Sequence, residues 1–358
     1  MEVLFLALLT IFLYLVAYFT YGRWLARRIF GLEEKRICPS RELCDDRDYV
    51  PTHPLVVFGH HFTSIAGTGP IVGPAIGVIW GWFPALVWVI LGPIFIGAVY
   101  DFAALVMSLR NRGKSIGELA GIYLNQRVRL LFMSILVLSL TVVLAVFGLV
   151  ISAVFRQFPS AIFPCFVQIP IAIVIGLTLH RRSRGILLPS ILALVFMYLS
   201  IVFSEWGPFH AFNAALASMP LWLWTLILLI YCYLASVLPV WVLLQPRDFI
   251  NALQLISTLV LLFLGLLVTA IFGGPLIVET SSKYSLEIVA PLLQVHPSGA
   301  PPIFPFLFIT IACGAVSGFH CLVSSGTSSK QLSSEPHAQF VGYGAMLLEG
   351  FLATLVIL

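Results

Sequence analysis

Long apolar runs separated by short polar breaks follow one another along almost the whole chain. Each run has close to the roughly 20 residues that a helix needs to cross the hydrocarbon core of a bilayer. Backbone groups in lipid have no water to bind, so we expect these runs to be helices. The pattern predicts a single membrane domain, residues 1–358, of ten spans. The predicted spans are 3–21, 55–79, 84–109, 130–155, 161–179, 186–203, 221–244, 252–272, 303–323 and 340–358.

The composition excludes a soluble protein. Apolar residues make up 60% of the chain and charged residues only 9%, whereas a soluble domain carries roughly 25% charged residues. The chain therefore has too few polar groups to cover a surface that faces water, and the lipid bilayer is its expected partner. No small-residue cleavage site follows the run at 3–21, which indicates a retained helix and not a cleaved signal peptide.

The distribution of lysine and arginine predicts the orientation. If alternate loops are cytoplasmic, beginning with the loop after the first span, all the basic residues except Arg156 and Lys283 lie on the cytoplasmic side. Cytoplasmic loops of membrane proteins are enriched in these residues. We therefore expect the N-terminus to lie outside, and a missed or extra span would destroy the asymmetry.

The second predicted span, 55–79, is rich in residues that break helices. It contains Gly67, Gly69, Pro70 and Pro74 within the sequence GTGPIVGP. Proline lacks a backbone donor and clashes with the preceding turn, while glycine adds backbone freedom. We expect a broken helix, and in transporters such breaks form substrate and ion sites. The alternative is a glycine-rich face that packs against another helix.

A second break is predicted at 238–251, LPVWVLLQPRDFIN, five spans after the first. A five-span unit that is repeated once must have the opposite orientation in its second copy, because five is odd. This is the inverted-repeat architecture of many secondary transporters. The span 3–21 is then an extra leading helix, 55–203 is repeat one, and 221–358 is an incomplete repeat two. Because the chain ends inside an apolar run, we expect a fragment, a part of a longer transporter, or a natural short form.

Hydroxyl side chains crowd the end of the ninth predicted span, in GFHCLVSSGTSSK at 318–330. Hydroxyls and freed carbonyls can ligate a dehydrated Na⁺ or bond an anionic substrate. The alternative is that they cap the next turn of helix. The members of this hydroxyl cluster are Ser324, Ser325, Thr327, Ser328 and Ser329, around Gly326.

Several motifs in order resemble the carbon starvation protein A family. They are FGHHFTSIAGTGPIVGP at 58–74, VYDFAALVMSLRNRGKSIGE at 99–118, PVWVLLQPRDFIN at 239–251 and GFHCLVSSGTSSKQL at 318–332. The resemblance covers essentially the whole chain, although family members are longer. It implies a multi-pass transporter in the inner (plasma) membrane of a bacterium or archaeon, used under carbon starvation, with peptides or pyruvate as substrate. It also implies kinship with the amino acid–polyamine–organocation superfamily and its LeuT-like fold of two inverted five-helix repeats.

Ionisable groups inside predicted spans are costly and usually functional, and here they are His60, His61, Asp101, His320 and Glu349. Adjacent residues diverge by about 100° on a regular helix. We expect one histidine of the pair at 60 and 61 to face the pathway and the other to bond a backbone carbonyl. A histidine titrates near neutral pH and can carry a coupling proton or pair with a carboxylate substrate. The alternative is a pair of structural, hydrogen-bonded histidines.

The resemblance to the superfamily fold brings its first and eighth core helices together. In this chain they correspond to the spans 55–79 and 303–323. The fold therefore implies that His60 and His61 lie near His320 and the hydroxyl cluster.

Asp101 is expected to accept a proton or to pair with Arg110 or Arg247. Arg247 and Asp248, in the QPRD sequence of the second break, are expected to form an internal ion pair at a gate. Two further residues are expected to line the site: Trp241 and Gln245.

The function that these features predict is a symporter, not an enzyme and without a cofactor. H⁺ or Na⁺ would drive uptake of pyruvate, a related small carboxylate or a short peptide, and we expect no nucleic-acid partner. A first alternative is a membrane redox or haem protein that uses His60, His61 and His320, although the chain lacks a CxxCH motif. A second is a starvation sensor that binds without transporting. Cys38 and Cys44 have a spacing unusual for zinc and are weak metal candidates.

Overall fold

The computed structural model describes residues 2–181, 187–272 and 288–358, which are mainly helical and form no strand. The α-helices of these ranges, numbered in chain order, are α1 Glu2–Ala17, α2 Pro39–Glu42, α3 Pro54–Ile65, α4 Gly69–Gly77, α5 Trp82–Gly92, α6 Ala98–Arg110, α7 Ile116–Tyr123, α8 Gln126–Gln157, α9 Ile162–Arg181, α10 Leu187–Phe203, α11 Gly207–Ala217, α12 Leu221–Val237, α13 Leu244–Phe272, α14 Ile303–Thr310, α15 Ala312–Val316, α16 Phe319–Gly326 and α17 Ala345–Ile357. Shorter π-helical and 3₁₀ turns adjoin them at Tyr18–Gly22, Leu25–Ile29, Val78–Trp80, Pro93–Gly97, Pro159–Ala161, Ser328–Lys330 and Gln339–Gly344.

Six helical stretches within the described ranges are long and apolar enough to cross a membrane, or up to eight if each of two bent pairs is one span. The structure thus supports six to eight of the ten predicted spans. The predicted span 303–323 is divided among α14, α15 and α16, and α12 has only 17 residues. The six stretches are Glu2–Ile29, Trp82–Arg110, Gln126–Gln157, Pro159–Thr178, Leu244–Phe272 and Gln339–Ile357.

The first predicted break is real but shorter than the sequence suggested. The axis bends by 45° between α3 and α4, at residues 66–68. Helix resumes at Gly69 because Pro70 stands in the first turn, where its missing N–H would have no helical partner. The second break lies at residues 238–243, and α13 begins at Leu244. The QPRD sequence therefore belongs to the start of a helix and is not itself unwound.

Burial divides the helices into central and peripheral groups. In Trp82–Arg110 and in Gln339–Ile357, 67% of the most apolar 18-residue window is buried. In Gln126–Gln157 the buried share is 0%, and in Leu244–Phe272 it is 6%. A helix that exposes apolar side chains all round is suited to lipid. The first two stretches therefore form the centre of the bundle, and they carry Asp101 and Glu349.

Glycines allow the broken helices to approach their neighbours closely. A Cβ on Gly73 of α4 would collide with the carbonyl oxygen of Thr310 at the end of α14. A Cβ on Gly59 of α3 would lie 2.8 Å from Cδ2 of Phe249 on α13. Small residues at such contacts let helix backbones approach without a hydrophobic driving force. The close contact of α3 with α13 places the histidines of α3 beside the start of α13.

Loops that the charge pattern places on the same side of the membrane contact one another. On the side predicted to be cytoplasmic, the Glu335 carboxylate accepts hydrogen bonds from Arg110 Nε at 2.7 Å and from Arg36 NH1 at 3.4 Å. On the other side, the Gln294 N–H donates to the Trp80 carbonyl at 2.8 Å. Three basic residues used in the charge pattern lie outside the described residues: Arg182, Arg184 and Lys283.

We predict that Gly73→Ala destabilises the fold by about 2 kcal/mol, because the added methyl group meets a backbone carbonyl that cannot rotate away. The matched control is Gly265→Ala on α13, where a Cβ would meet nothing within 4 Å and helix propensity gains about 0.5–1 kcal/mol. Thermal unfolding in detergent, followed with a thiol-reactive dye, measures both. Equal melting temperatures for Gly73→Ala and the parent chain would contradict the close contact.

Candidate functional site

The central feature of the site is a buried network around His61. Its Nε2 lies 3.0 Å from Asp101 Oδ2, and its Nδ1 lies 2.8 Å from Ser328 Oγ. The Ser324 hydroxyl donates a hydrogen bond to the other oxygen of Asp101. All four side chains are fully buried. The network joins α3 and α6 to α16 and the 3₁₀ turn after it. α3 and α6 are far in sequence from α16 and this turn.

This arrangement lets His61 change its protonation without losing a partner. An ionised carboxylate only accepts hydrogen bonds, so Nε2 carries a hydrogen and donates it to Asp101. In the neutral ring Nδ1 accepts from the Ser328 hydroxyl. In the charged ring Nδ1 donates, and the same hydroxyl turns to accept. The pair of Asp101 and Ser328 can therefore hold either form of the imidazole.

His60 faces a different set of groups. Its Nδ1 lies 2.8 Å from Asp248 Oδ2. This distance is short enough for an ion pair, but the two groups are not aligned for a hydrogen bond. Arg247 Nε lies 3.3 Å from the other oxygen of Asp248, and Arg247 NH1 donates to the Tyr231 hydroxyl at 2.9 Å. The expected internal ion pair of Arg247 and Asp248 is thus present at the start of α13, and His60 extends it.

The divergence of about 100° between adjacent helical residues explains the two environments. α3 is regular through both histidines, so one ring faces α13 and the other faces α6 and α16. The expectation that one histidine bonds a backbone carbonyl is wrong, because in the described residues the ring of His60 faces Asp248 and that of His61 faces Asp101 and Ser328. A buried carboxylate compensates for a nearby positive charge far better than a carbonyl does.

A third histidine–carboxylate pair lies between α16 and α17. His320 Nε2 is 3.3 Å from Glu349 Oε2, and His320 Nδ1 is 3.0 Å from Met346 Sδ. Both His320 and Glu349 are fully buried. Within the described ranges neither oxygen of Glu349 has a hydrogen-bond partner. One proton shared by the pair would avoid burying an uncompensated charge.

The hydroxyl cluster divides between the buried network and the capping role considered for it. Two members, described above, bond the buried network. Ser325 instead accepts from the Ile116 N–H at 3.1 Å and so binds the start of α7, and Ser329 accepts from Ser108 Oγ at 2.8 Å. These two are therefore capping and packing groups. Thr327 is half-buried at the end of α16.

The residues of the first break pack against α15. A Cβ on Gly69 would collide with Cys313, and Pro70 lies beside Gly314. Gly67, at the bend itself, lies nearest to Phe147 of α8. The break thus brings α4 against α15, which agrees with the alternative of a packing face. The break also ends α3 one turn after the two histidines.

The partners expected for Asp101 were wrong. Arg110 bonds Glu335, and Arg247 pairs with Asp248. Asp101 is instead held by His61 and a serine, because it lies at the start of α6, more than two turns before Arg110.

Gln245 and Trp241 bond the loop before α3. The Gln245 amide donates to Thr52 Oγ1 at 2.8 Å and to Gln331 Oε1 at 2.9 Å. The Trp241 indole donates to the carbonyl of Asp46 at 2.8 Å. Both residues therefore connect the start of α13 to the loop before α3.

Cys38 and Cys44 do not form a paired site. Cys38 is buried, and burial beside Glu335 raises the pKa of its thiol to about 11. Cys44 is exposed. A thiol that is protonated at neutral pH is a poor metal ligand, and the described part of the chain gathers no group of three potential metal ligands.

Sequence reasoning missed Glu335. Only 1% of its surface is exposed, and besides Arg110 and Arg36 it binds the backbone N–H of Glu33 at 2.8 Å. A single acidic residue in the loop QLSSEPH has no periodicity or motif that marks it as buried. Glu335 is buried only because the segment before α3 folds back over it.

Comparison with known proteins decides the family. Residues 2–358 match the family described as carbon starvation protein CstA. The chain belongs to the CstA family. The peptide transporter CstA of Escherichia coli K12 is 34% identical over 367 residues, and that of Campylobacter jejuni is 32% identical over 356, each covering 99% of this chain. The pyruvate/proton symporter BtsT of Escherichia coli K12 is also 34% identical over 367 residues.

The relatives in the CstA family are longer than this chain. The chain spans about half of their length, 49% of both CstA proteins and 48% of BtsT. No solved structure matches it. The relatives are named as transporters and not as enzymes, which agrees with the function class that the sequence predicts.

We predict that Asp248→Asn costs about 3 kcal/mol of stability, because it leaves Arg247 and His60 without a buried anion. The matched control is Asp48→Asn. Asp48 is also a paired aspartate, 3.6 Å from Lys330 Nζ, but 60% of its side chain is exposed, so we expect about 0.5 kcal/mol or less. Denaturation in detergent measures both, and similar effects of the two changes would contradict a buried pair.

Proposed function

We propose that this chain forms the transport pathway of a proton-coupled symporter that imports pyruvate, a related small carboxylate or short peptides during carbon starvation. The observation that carries the proposal is the buried network of His61, Asp101, Ser324 and Ser328. Buried ionisable groups at the centre of a membrane bundle are costly and mark ion pathways. The two kinds of substrate are those in the names of the relatives.

A proton fits the coupling role better than Na⁺. One relative is named as a proton symporter. A histidine whose partners fit both of its protonation states can carry a proton. The hydroxyls that would have served Na⁺ are occupied, since Ser324 and Ser328 bond the network and Ser325 binds α7.

Two of the three histidines named for the haem alternative, His61 and His320, already have partners at both ring nitrogens. Both ring nitrogens of His61 are bonded, to Asp101 and Ser328. His320 lies between Glu349 and Met346. An iron ligand would have to break one of these contacts.

We further propose the ten-span, LeuT-like arrangement, with 3–21 as a leading helix, 55–203 as repeat one and 221–358 as an incomplete repeat two. α12 and the broken segment α14–α16 would supply the two remaining spans. The contact of α3 and α4 with α14–α16 supports it, since that fold brings its first and eighth helices together. In this arrangement Arg247 and Asp248 would form a gate beside the pathway.

We predict that Asp101→Asn abolishes accumulation of labelled pyruvate driven by an inward proton gradient, because the amide cannot pair with a charged His61. Exchange of pyruvate across the membrane without a gradient should remain, since it needs no net proton movement. The assay is uptake into proteoliposomes, with an added tripeptide as competitor. The matched control is Asp46→Asn, an exposed aspartate of the loop before α3.

Full gradient-driven accumulation by Asp101→Asn would remove Asp101 from the coupling mechanism. Tripeptide uptake without pyruvate uptake would assign the substrate to peptides. If the parent chain transports neither substrate, the proposed transport function of this chain is wrong.

We predict that a membrane-impermeant maleimide labels Cys44 in inside-out vesicles and not in intact spheroplasts of the inner membrane. Cys44 is exposed in the loop 43–53, which the charge pattern places in the cytoplasm. Loss of the label in the variant Cys44→Ser will show that the label is on Cys44. Labelling in spheroplasts alone would contradict the predicted orientation and would place the N-terminus inside.

A further inference from the structure

A basic cavity adjoins the buried network on the side predicted to be cytoplasmic. Its volume is about 640 Å³, and it opens to the surface between the start of α7, the start of α8 and the end of α16. Glu118 is the single acidic residue among those that line it. The basic residues that line it are Arg112, Lys114, Arg129 and Lys330.

The positive charge of this cavity is poorly neutralised. The Glu118 carboxylate is occupied as a helix cap, since it accepts from the Ser115 N–H at 2.9 Å. Arg112 and Lys330 have partners at 3.6 Å, but these are Glu42 and Asp48, whose side chains are 49% and 60% exposed. Such exposed contacts contribute little.

The other two cations of the cavity are Lys114 and Arg129. Neither Lys114 nor Arg129 forms an ion pair within the described ranges. The cavity therefore presents a net positive charge to a ligand.

The backbone holds the cavity in shape. Arg112 and Gly113 have φ angles of 61° and 70°, so the chain turns sharply after α6 and carries the next lysine to the cavity wall. A Cβ on Gly113 would lie 2.9 Å from Cε1 of Tyr49 and 3.2 Å from Cγ of Lys330. Only glycine fits both the turn and the close approach. The side-chain stem of Arg129 packs on Gly121 of α7.

The cavity and the buried network share one segment of chain. Ser325 and Gly326 form part of the cavity wall. Ser324, the preceding residue, donates to Asp101, and Ser328, two residues beyond Gly326, bonds His61. A ligand in the cavity therefore lies against the backbone of the turn that holds the proposed coupling site.

We propose that this cavity is a second binding site, which takes the carboxylate group of a small organic anion at the cytoplasmic mouth of the pathway. The inference rests on the proposed function, because it assigns the same substrate class to a separate position. Clustered Lys and Arg side chains raise the local concentration of anions and bond carboxylates through charge-assisted hydrogen bonds. The same chemistry would suit the phosphate of an anionic lipid headgroup.

The test is line broadening of ¹³C-labelled pyruvate by the purified full chain in phosphatidylcholine nanodiscs at low salt. We expect Lys114→Gln with Arg129→Gln to weaken pyruvate binding about tenfold, because two charge-assisted contacts are lost. The matched control is Arg27→Gln with Arg28→Gln, which removes two exposed arginines from the first helical stretch. Three of the four side chains are exposed and that of Arg129 is half-buried, so equal melting temperatures will show that the variants fold.

A second variant separates this site from the buried network. If the cavity binds pyruvate, the Asp101→Asn variant will keep most of the line broadening and the double cavity variant will lose it. This outcome does not depend on whether the chain transports pyruvate. If Asp101→Asn removes the broadening and the cavity variant keeps it, pyruvate binds only in the network, and the cavity proposal is wrong while the proposed function stands.

Anionic lipid is the competing ligand of the same chemistry. Native mass spectrometry after reconstitution with phosphatidylglycerol measures how much of this lipid stays bound to the protein. If the cavity variant loses bound phosphatidylglycerol but broadens pyruvate as the parent chain does, the cavity binds a lipid headgroup, and the proposal of a carboxylate site is overturned.

Discussion

The structure depends on one electrostatic constraint: an ionisable side chain buried in a bundle that faces lipid needs a partner that can share a proton with it or balance its charge. Each of three histidines meets this constraint with a carboxylate on a different helix. Removing one member of such a pair would leave an uncompensated buried charge, which costs more than the pair itself contributes. The pairs therefore specify which helices must meet at the centre of the bundle. They are His60 with Asp248, His61 with Asp101, and His320 with Glu349.

Two of these pairs start from the same turn of α3. Because adjacent residues point about 100° apart, His60 reaches α13 while His61 reaches α6 and the end of α16. α3 thus connects a peripheral helix, most of whose surface faces lipid, to the buried centre. Any rotation of α3 that lengthens one contact also displaces the other. The bend after Ile65 ends the helix close to both pairs, so α4 can pack against α15 independently of them.

The substrates in the names of the relatives, peptides and pyruvate, have a carboxylate in common. In the proposed function, hydroxyls and a histidine inside the bundle, together with the cations of the cavity, would form a polar route suited to that group. The glycines that allow close helix contacts would exclude lipid from such a route. Side chains that bond the buried network therefore alternate with side chains that hold neighbouring helices. Ser324 bonds Asp101, and the next residue, Ser325, binds the start of α7.

The sequence by itself determined the helical membrane fold, the family and which ionisable residues lie inside apolar runs, because hydropathy, charge distribution and motif order are properties of the linear chain. It also placed a break near Gly67 and an ion pair at Arg247 and Asp248. Only the tertiary structure decided the partners. Asp101 meets His61 and not Arg110, and Glu335 becomes a buried anchor, since contacts between segments 40 and 225 residues apart leave no periodic trace. The exact breaks also depended on packing, because proline and glycine permit a bend while neighbouring helices decide where the helix resumes.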